Sequence, residues 1–431
     1  MSERPLKVLS VCTSDSTGGA ARAAYRIQQA ARELGVDSRM FVKQKGIEDP
    51  YVLPLSDFLP VNSLYKGLDW ARNKVKNKWQ HFQWGKYPNR QQYYMSDLRS
   101  TDIGHALQKI DYDILHLHWV NLRFLPLSQL PKDKPIVWTL HDSWPFCGVC
   151  HLPLECKGYH EECGSCPMLG SSDPNDLSHR VWQKKKKIFD SLDLHIVAPS
   201  HWMADCARQS SLFKDRNISV IPNCIDTDLF SPGDRREACK KLGLDPGKKH
   251  ILFGAMNALR DPNKGFKYLV EAISSLNSDL KNNADLVVFG ANDSVDMKMT
   301  GINTHNLGIL RDNTDIITTY RAADVTVIPS LSENLSCTIM ESLFCGTPVN
   351  AFGIGGNSDM IDHKKNGYLA TEKDCEDLAQ GIAYCMNHEL DLVSETARQK
   401  MLECFSCKAV GQQYSTLYNK LKHSIPCCST L

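Results

Sequence analysis

Short apolar runs alternate with longer segments of mixed polarity along almost the whole chain. Apolar runs of roughly four to eight residues are typical of strands buried on both faces of a parallel sheet. The pattern therefore predicts an α/β protein in which strands and helices alternate. The predicted strands are residues 7–13, 37–43, 112–119, 135–141, 194–200, 218–223, 250–256, 284–290, 305–310, 324–330, 348–352 and 367–370.

The predicted strands form two similar sets, and a chain of 431 residues is long enough for two domains of about 200 residues each. We expect two Rossmann-like, doubly wound domains, at residues 1–228 and 229–408, followed by a helix at 409–424. An amphipathic helical insertion interrupts the first set at about residues 57–100. Doubly wound sheets bind ligands beyond the carboxyl ends of their strands, so we expect the two domains to face one another across a ligand-binding cleft.

Several glycine, histidine and charged residues lie at or after the carboxyl ends of predicted strands. Taken singly, each has a plain structural explanation, such as a tight turn or a packed core histidine. Because they converge on the edge where ligands bind, the sequence favours a functional site. These residues are Gly18 and Gly19, His116 and His118, His141 and Asp142, Arg260 and Lys264, and Glu333.

Two glutamates, Glu333 and Glu341, lie eight residues apart in "SENLSCTIMESLFCGTPV". With Glu333 in the loop that enters a helix and Glu341 two turns along it, they would be separated by about 12 Å along the axis, close to the span of a nucleoside diphosphate. The plain alternative is a solvated helix face. A carboxylate can accept both hydrogen bonds of a vicinal diol, so Glu341 could hold a ribose. The amides at the start of the helix would face the diphosphate, and Arg260 and Lys264 would supply positive charge.

Charge and composition narrow the class of protein. A formal net charge of +1 argues against a general nucleic-acid binder. The amino terminus lacks the long apolar region of a signal peptide, and no apolar stretch is long enough to span a membrane. We therefore expect a cytoplasmic protein, whose 17 cysteines are reduced thiols or metal ligands.

Five cysteines lie within twenty residues in "CGVCHLPLECKGYHEECGSCP", at residues 147–166. Two of the spacings are C-x-x-C, which allows both thiolates to face one ion. The cluster favours a structural zinc ion, with free thiols in a cysteine-rich chain as the alternative.

The segments "SENLSCTIMESLFCGTPV", "GIGGNSDMI", "NGYLA", "DILHLHW" and "IVWTLHD" together resemble glycosyltransferase family 4, the retaining enzymes of GT-B architecture. The resemblance covers nearly the whole chain and is closest to bacterial enzymes that build surface polysaccharides and exopolysaccharides. It implies transfer of a sugar from a nucleotide-diphosphate sugar to a glycan or lipid-linked acceptor. The C-terminal helix of such enzymes crosses back to the first domain.

The resemblance also implies roles for individual residues. Glu333 and His141 would act on the transferred sugar. The acceptor side would include His118 and Trp119, and no catalytic metal is expected. The donor would be bound by Glu341, Lys264, Arg260, Gly18, Gly19, Asn334, Leu335 and Ser336, and zinc by Cys150, Cys156, Cys163 and Cys166, with Cys147 as a spare.

Three positions depart from the family pattern: Ala258 replaces an arginine, Cys224 a glycine, and Asp359 a common glutamate. Arg260 is the candidate substitute for the missing arginine. The alternatives to a glycosyltransferase are another nucleotide-sugar enzyme of the same fold, such as an epimerase, or a non-catalytic sugar-binding protein.

The lysine run at residues 184–187 is most simply a solvated helix face. Its alternative is peripheral contact with an anionic membrane surface, since acceptors in this branch are often lipid-linked.

Overall fold

A computed structural model describes residues 4–59, 74–75, 78–79, 81–91, 95, 103–254, 260–290, 297–387 and 390–422. Most of the insertion predicted at 57–100 therefore lies outside the described residues, although residues 81–85 are helical. The chain divides into a first unit, Met1–Ile221 with Gly411–Leu431, and a second unit, Pro222–Val410.

The first unit contains a parallel sheet of seven strands, in the order β3-β2-β1-β4-β5-β6-β7. The strands in the middle of the sheet are buried along almost their whole length, as expected when helices cover both faces of a sheet. The strands are β1 (Lys7–Ser14), β2 (Asp37–Gln44), β3 (Val52–Pro54), β4 (Ile114–Leu117), β5 (Ile136–Thr139), β6 (Leu194–Ala198) and β7 (Asn217–Val220).

Two helices of this unit begin where the sequence supplies a side-chain cap. Asp176 accepts hydrogen bonds from the amides of Ser178 and His179, and Ser200 accepts one from the amide of Met203. The helices are α1 (Gly19–Glu33), α2 (Gly104–Lys109), α3 (Leu177–Phe189) and α4 (His201–Gln209).

The second unit contains a parallel sheet of six strands, in the order β10-β9-β8-β11-β12-β13. Separate clusters of buried apolar residues pack beneath the helices of this unit. The strands are β8 (Lys249–Gly254), β9 (Ala284–Phe289), β10 (Thr304–Asn306), β11 (Val325–Ile328), β12 (Val349–Phe352) and β13 (Gly367–Ala370).

The helices that follow lie between and after these strands, and the last one, α14, continues into the first unit. They are α5 (Arg235–Leu242), α6 (Phe266–Ser275), α7 (Ser278–Asn283), α8 (Met297–Thr300), α9 (Asn313–Ala322), α10 (Cys337–Phe344), α11 (Asn357–Met360), α12 (Cys375–Asn387), α13 (Leu390–Phe405) and α14 (Cys407–Lys422).

Each strand predicted from an apolar run is present, so the predicted fold class is confirmed. β3 was not predicted, because it is only three residues long and ends in proline. Among the helices that the structure describes, none combines the length and apolar composition needed to cross a bilayer.

Candidate active site

The strand order reverses between β1 and β4 in the first unit and between β8 and β11 in the second. Ligands of open α/β sheets bind outside the carboxyl ends of the strands at such switch points. The predicted site residues of the first unit follow β1, β4 and β5, and those of the second unit follow β8 and β11 or lie on α10. Each unit therefore places its candidate residues where its own topology favours a ligand.

In the second unit, the loop after β8 is joined to the loop after β11. The amide of Leu331 donates to the carbonyl of Asn263 at 2.8 Å, and the Asn263 side chain donates to the carbonyl of Ser332 at 3.0 Å. Gly265 has φ +69°, and a Cβ there would lie 1.8 Å from the carbonyl oxygen of Pro329. The glycine after Lys264 is thus what lets the two loops approach so closely.

This approach brings Lys264 and Glu333 into an ion pair. The Lys264 Nζ lies 2.6 Å from Glu333 Oε1, and both side chains are largely buried. Burial lowers the pKa of Lys264, but the Glu333 carboxylate outweighs that effect and raises the pKa above its usual value. The lysine therefore keeps its charge at neutral pH. The pair lines a small pocket with Phe253, Gly254, Ile328, Ser330, Ser336 and Thr338.

The backbone of Glu333 is held from the other side by the "GIGG" loop. The amide of Gly356 donates to the Glu333 carbonyl at 3.2 Å. Gly355 has φ +54°, and a Cβ there would lie 1.8 Å from that carbonyl oxygen. Only glycine allows this approach, so the loop fixes the position from which the carboxylate projects.

Glu341 lies on α10 and is only 2% exposed. The hydroxyl of Tyr320, on α9, donates a hydrogen bond to Glu341 Oε2 at 3.1 Å. Because α10 begins at Cys337, Glu333 lies in the loop that enters the helix and Glu341 lies within it, as the sequence predicts. The plain alternative of a solvated helix face is wrong for Glu341, because the side chain is buried.

The predicted donor-binding residues Asn334, Leu335 and Ser336 form the entry to α10. Ser336 is the N-cap, but its side chain makes no capping hydrogen bond. The first amides of any helix point toward its N-terminus, where the helix dipole favours an anion. Arg260 is exposed, and Ala258, the departure that it was expected to replace, lies outside the described residues.

In the first unit, two side-chain contacts join the ends of β4 and β5. His118 Nδ1 lies 3.0 Å from His141 Nε2, and the Trp119 indole donates to Asp142 Oδ2 at 2.7 Å. His118 is 2% exposed, and its role on the acceptor side stays a prediction. Gly18 is the N-cap of α1, with φ 91°.

Two tyrosines that the sequence did not single out contact this group from α14. Tyr418 is hydrogen-bonded through its hydroxyl to His116 Nδ1 at 2.7 Å, and Tyr414 to Thr139 Oγ1 at 2.9 Å. Thr139 is in turn 2.8 Å from His116 Nε2. The sequence could have indicated both tyrosines, because they are four residues apart and their hydroxyls therefore lie on one face of a helix.

Burial keeps the three histidines neutral. It lowers the pKa of His116 to about 3 and that of His141 to about 4, and it lowers the pKa of His118 well below the usual value. Burial also raises the pKa of Asp142, although the carboxylate accepts hydrogen bonds from Trp119 and Trp144. The three histidines therefore offer neutral hydrogen-bonding groups at physiological pH.

The five clustered cysteines lie in one region of the first unit, where burial, and to a smaller extent the nearby Cys150, raises the pKa of the Cys156, Cys163 and Cys166 thiols. Within the described ranges, no three potential ligands meet closely enough to hold a metal ion. The zinc ion expected from the cysteine spacing stays a prediction.

The prediction that the lysine run is a solvated helix face is wrong for Lys185. Its side chain is 1% exposed, and it donates to the carbonyls of Trp144, Cys147 and Gly148. The Nζ also lies 3.9 Å from the centre of the Trp144 ring. The other lysines of the run, Lys184, Lys186 and Lys187, are exposed.

The departure at Cys224 has a structural counterpart. Cys224 is buried, and its sulfur lies 3.4 Å from that of Cys407. The segments that carry the two thiols also pair through their backbones, because Ile225 and Ser406 form a parallel bridge. The Cys224 side chain, where the family usually has glycine, therefore packs against a second cysteine.

Two family models match the chain in sequence. "Glycosyltransferase Family 4" matches residues 17–229, and "Glycosyl transferases group 1" matches residues 234–401. Together they include every candidate residue described above. The chain belongs to glycosyltransferase family 4.

Curated relatives extend the match for this family 4 chain. A D-inositol 3-phosphate glycosyltransferase of Mycolicibacterium vanbaalenii is 26% identical over 88% of this chain and 82% of its own length. WcaC of Escherichia coli, named for colanic acid biosynthesis, is 25% identical over 63% of this chain and 66% of its own length. A D-inositol 3-phosphate glycosyltransferase of Nocardiopsis dassonvillei is 32% identical, but only 41% of its length is matched.

Solved structures of glycosyltransferases share the fold. Sucrose-phosphate synthase of Thermosynechococcus elongatus aligns with a TM-score of 0.64 and 17% identity, over 97% of this chain and 100% of that one. HepE of Anabaena, solved with UDP, aligns with a TM-score of 0.62 and 17% identity, over 96% of this chain and 100% of that one. The family 4 chain therefore has the GT-B fold that the sequence predicts.

Proposed function

We propose that this family 4 chain transfers a sugar, with retention of configuration, from a nucleotide-diphosphate sugar to a hydroxyl of a glycan or lipid-linked acceptor. We place it in bacterial surface-polysaccharide synthesis. The observation that carries the proposal is the Lys264–Glu333 ion pair at the switch point of the second sheet, beside the helix that bears Glu341. HepE, which shares the fold, has been solved with UDP and with UDP-glucose.

The second unit binds the donor in this proposal. The ammonium of Lys264 and the first amides of α10 receive the diphosphate, because both offer positive charge or oriented N–H groups. The Glu341 carboxylate, oriented by Tyr320, accepts hydrogen bonds from the ribose hydroxyls. Glu333 holds Lys264 in place before the donor arrives and accepts a hydrogen bond from the transferred sugar.

The proposed transfer reaction needs no nucleophile from the protein. The acceptor oxygen forms a bond to the anomeric carbon on the face from which the diphosphate departs, while the bond from that carbon to the diphosphate oxygen breaks. The acceptor proton passes to the departing diphosphate oxygen, so no separate base is required. His141 offers a neutral hydrogen bond to the sugar, and Lys264 stabilises the charge that develops on the leaving group.

A panel of nucleotide sugars tests this function. The protein is incubated with each donor and with candidate glycan and lipid-linked acceptors, and the released nucleotide and the product are measured by mass spectrometry. We expect nucleotide release that depends on the acceptor, with a product whose anomeric configuration by NMR matches that of the donor. An inverted product would contradict retention, and interconversion of the donor sugar without transfer would favour an epimerase.

We also propose that Cys150, Cys156, Cys163 and Cys166 hold a structural zinc ion. The C-x-x-C spacings and the gathering of the thiols around Cys150 support it, whereas the side-chain positions described above do not. Elemental analysis of protein purified without added metal decides between them. About one zinc per chain, lost in the Cys163→Ser, Cys166→Ser double variant but kept in a Cys375→Ser, Cys404→Ser control, is the supporting result.

A third proposal concerns the acceptor. The exposed lysines Lys184, Lys186 and Lys187 would attract an anionic membrane that carries a lipid-linked acceptor. Co-sedimentation with anionic but not with neutral vesicles, reduced in the triple alanine variant, supports this contact. Equal sedimentation with both kinds of vesicle contradicts it.

A further inference from the structure

The contact between His118 and His141 limits where the protons of both rings can lie. Their Nδ1 and Nε2 atoms are 3.0 Å apart, so one nitrogen donates and the other accepts. Burial lowers the pKa of both rings, so each carries a single proton at neutral pH. Two arrangements therefore remain, and they differ in which ring donates.

The remaining nitrogen of His118 separates the two arrangements. His118 is 2% exposed, and its Nε2 has no hydrogen-bond partner in the part of the chain that the structure describes. If His141 donated, His118 would carry its proton on Nε2, as a buried N–H without an acceptor. If His118 donates from Nδ1, its Nε2 is only a bare lone pair. Orphaned buried N–H groups are the rarer of the two defects.

We propose that His118 is a positioning residue that donates from Nδ1 to His141 and so fixes His141 as the tautomer protonated on Nδ1. His141 Nδ1–H then points away from His118 as a hydrogen-bond donor toward a hydroxyl oxygen of the sugar. His141 thus binds the sugar as a donor and does not remove a proton. The role in turnover rests on the proposed glycosyl transfer, whereas the tautomer does not.

The surroundings of His118 leave its ring little freedom to reverse this arrangement. The Trp138 indole donates to the His118 carbonyl at 3.1 Å, and the His118 amide donates to the carbonyl of Val11 at 3.0 Å. The His116 ring packs with its centre 4.0 Å from that of His118. Tyr418 and Thr139 hold His116 in turn, so the side of the ring that meets His141 is set by packing.

Nitrogen NMR of the histidine side chains tests the tautomer without any substrate. In protein labelled with ¹⁵N-histidine, the His141 ring is assigned by its loss in His141→Phe, and its ¹⁵N shifts and ring correlations identify the protonated nitrogen. We expect Nδ1–H in the parent protein. A His141 ring protonated on Nε2, or an even mixture of both forms, would overturn the proposal.

Two substitutions of His118 then separate positioning from packing. His118→Asn keeps an N–H donor where Nδ1 lies, and His118→Leu removes it while keeping apolar volume. We expect His118→Leu to shift His141 toward the other tautomer and to lower kcat at least tenfold with unchanged nucleotide affinity, and His118→Asn to restore most of both. His195→Asn, in the same unit, is the control and should leave the His141 tautomer unchanged.

The NMR and kinetic results for His118 can be distinguished from a failure of the proposed glycosyl transfer. A His141 tautomer or a kcat that is unaffected by His118→Leu in a folded protein would contradict the proposal, and equal loss in both folded variants would mean that His118 only packs. If no donor in the panel supports transfer, the function fails while the NMR result still decides the tautomer. Melting temperatures identify a variant that has lost its fold.

Discussion

The two units have the same kind of parallel sheet, but the candidate site of one is built on charged side chains and that of the other on neutral histidines. At its switch point the second unit holds a lysine and a carboxylate 2.6 Å apart, and Glu333 helps keep that lysine charged. The first unit holds three histidines that burial keeps neutral. In the proposed function, the second unit receives the charged diphosphate and the first contacts the uncharged hydroxyls of the sugar.

Removing the charge of the second unit is expected to have the largest effect. Lys264→Ala should lower kcat/KM by about 10²–10³-fold, or roughly 3–4 kcal/mol of transition-state stabilisation, because the leaving diphosphate loses its cation. Steady-state nucleotide release with the best donor of the panel is the measurement. Lys267→Ala, an exposed lysine nearby, is the control. A loss below tenfold in Lys264→Ala would remove this residue from the site.

The ribose contact should have the next largest effect. Glu341→Ala should weaken binding of the nucleoside diphosphate by about 1.5–3 kcal/mol, because a charge-assisted hydrogen bond is lost. Calorimetry on the folded variant measures this affinity, with the exposed Glu271→Ala as control. Unchanged affinity in Glu341→Ala would mean that this buried carboxylate serves only Tyr320.

The sequence predicts the strands of both units, but it does not predict which side chains meet at the strand ends. Runs of apolar residues predict the strands because parallel strands are buried on both faces. The pairing of Lys264 with Glu333 depends on β8 and β11 being neighbours, which the sequence order does not reveal. Contact between His118 and His141 likewise depends on the register of β4 with β5.

The burial of Lys185 could have been predicted from helical spacing, although not from composition. Within a run of four lysines, composition predicts a solvated face. The helical spacing is more informative, because Trp182, Lys185 and Phe189 recur at three and four residues and share one face of α3. All three are buried. The sequence does not indicate which carbonyls would receive the ammonium, because they belong to the irregular loop near Cys147.

Acid should affect the first unit before the second. The folded pKa of His116, about 3, lies below the usual value of about 6.5, so the folded state binds fewer protons than the unfolded state. This contribution to stability is complete above pH 6.5 and is lost as the pH falls toward 3. At pH 5, His116 alone should reduce the free energy of unfolding by about 2 kcal/mol.

Tryptophan fluorescence can follow this loss in one unit. All eight tryptophans lie before residue 222, and hence in the first unit. Their unfolding transition should move to lower denaturant concentration between pH 7 and pH 5. Far-ultraviolet circular dichroism, which reports both units, should show a smaller change. A tryptophan transition that does not move in this range would contradict the neutral histidine site.

The smallest expected effect tests how Glu341 is oriented. Tyr320→Phe removes one hydroxyl that donates to the carboxylate at 3.1 Å, so nucleotide affinity should fall by about 1 kcal/mol. In combination with Glu341→Ala, the tyrosine substitution should have no additional effect, because its partner is gone. Additive losses in calorimetry would mean that Tyr320 acts independently of Glu341.

Glu333→Gln gives the most direct test of the central claim that the ion pair of the second unit acts on the sugar and the diphosphate. The substitution keeps the shape of the side chain and removes its charge. Turnover and nucleotide affinity are measured on the same preparation, by mass spectrometry and by calorimetry. We predict that kcat falls at least about 100-fold while nucleotide affinity stays within about threefold of the parent value. Near-normal turnover with the same donor and acceptor would contradict the claim.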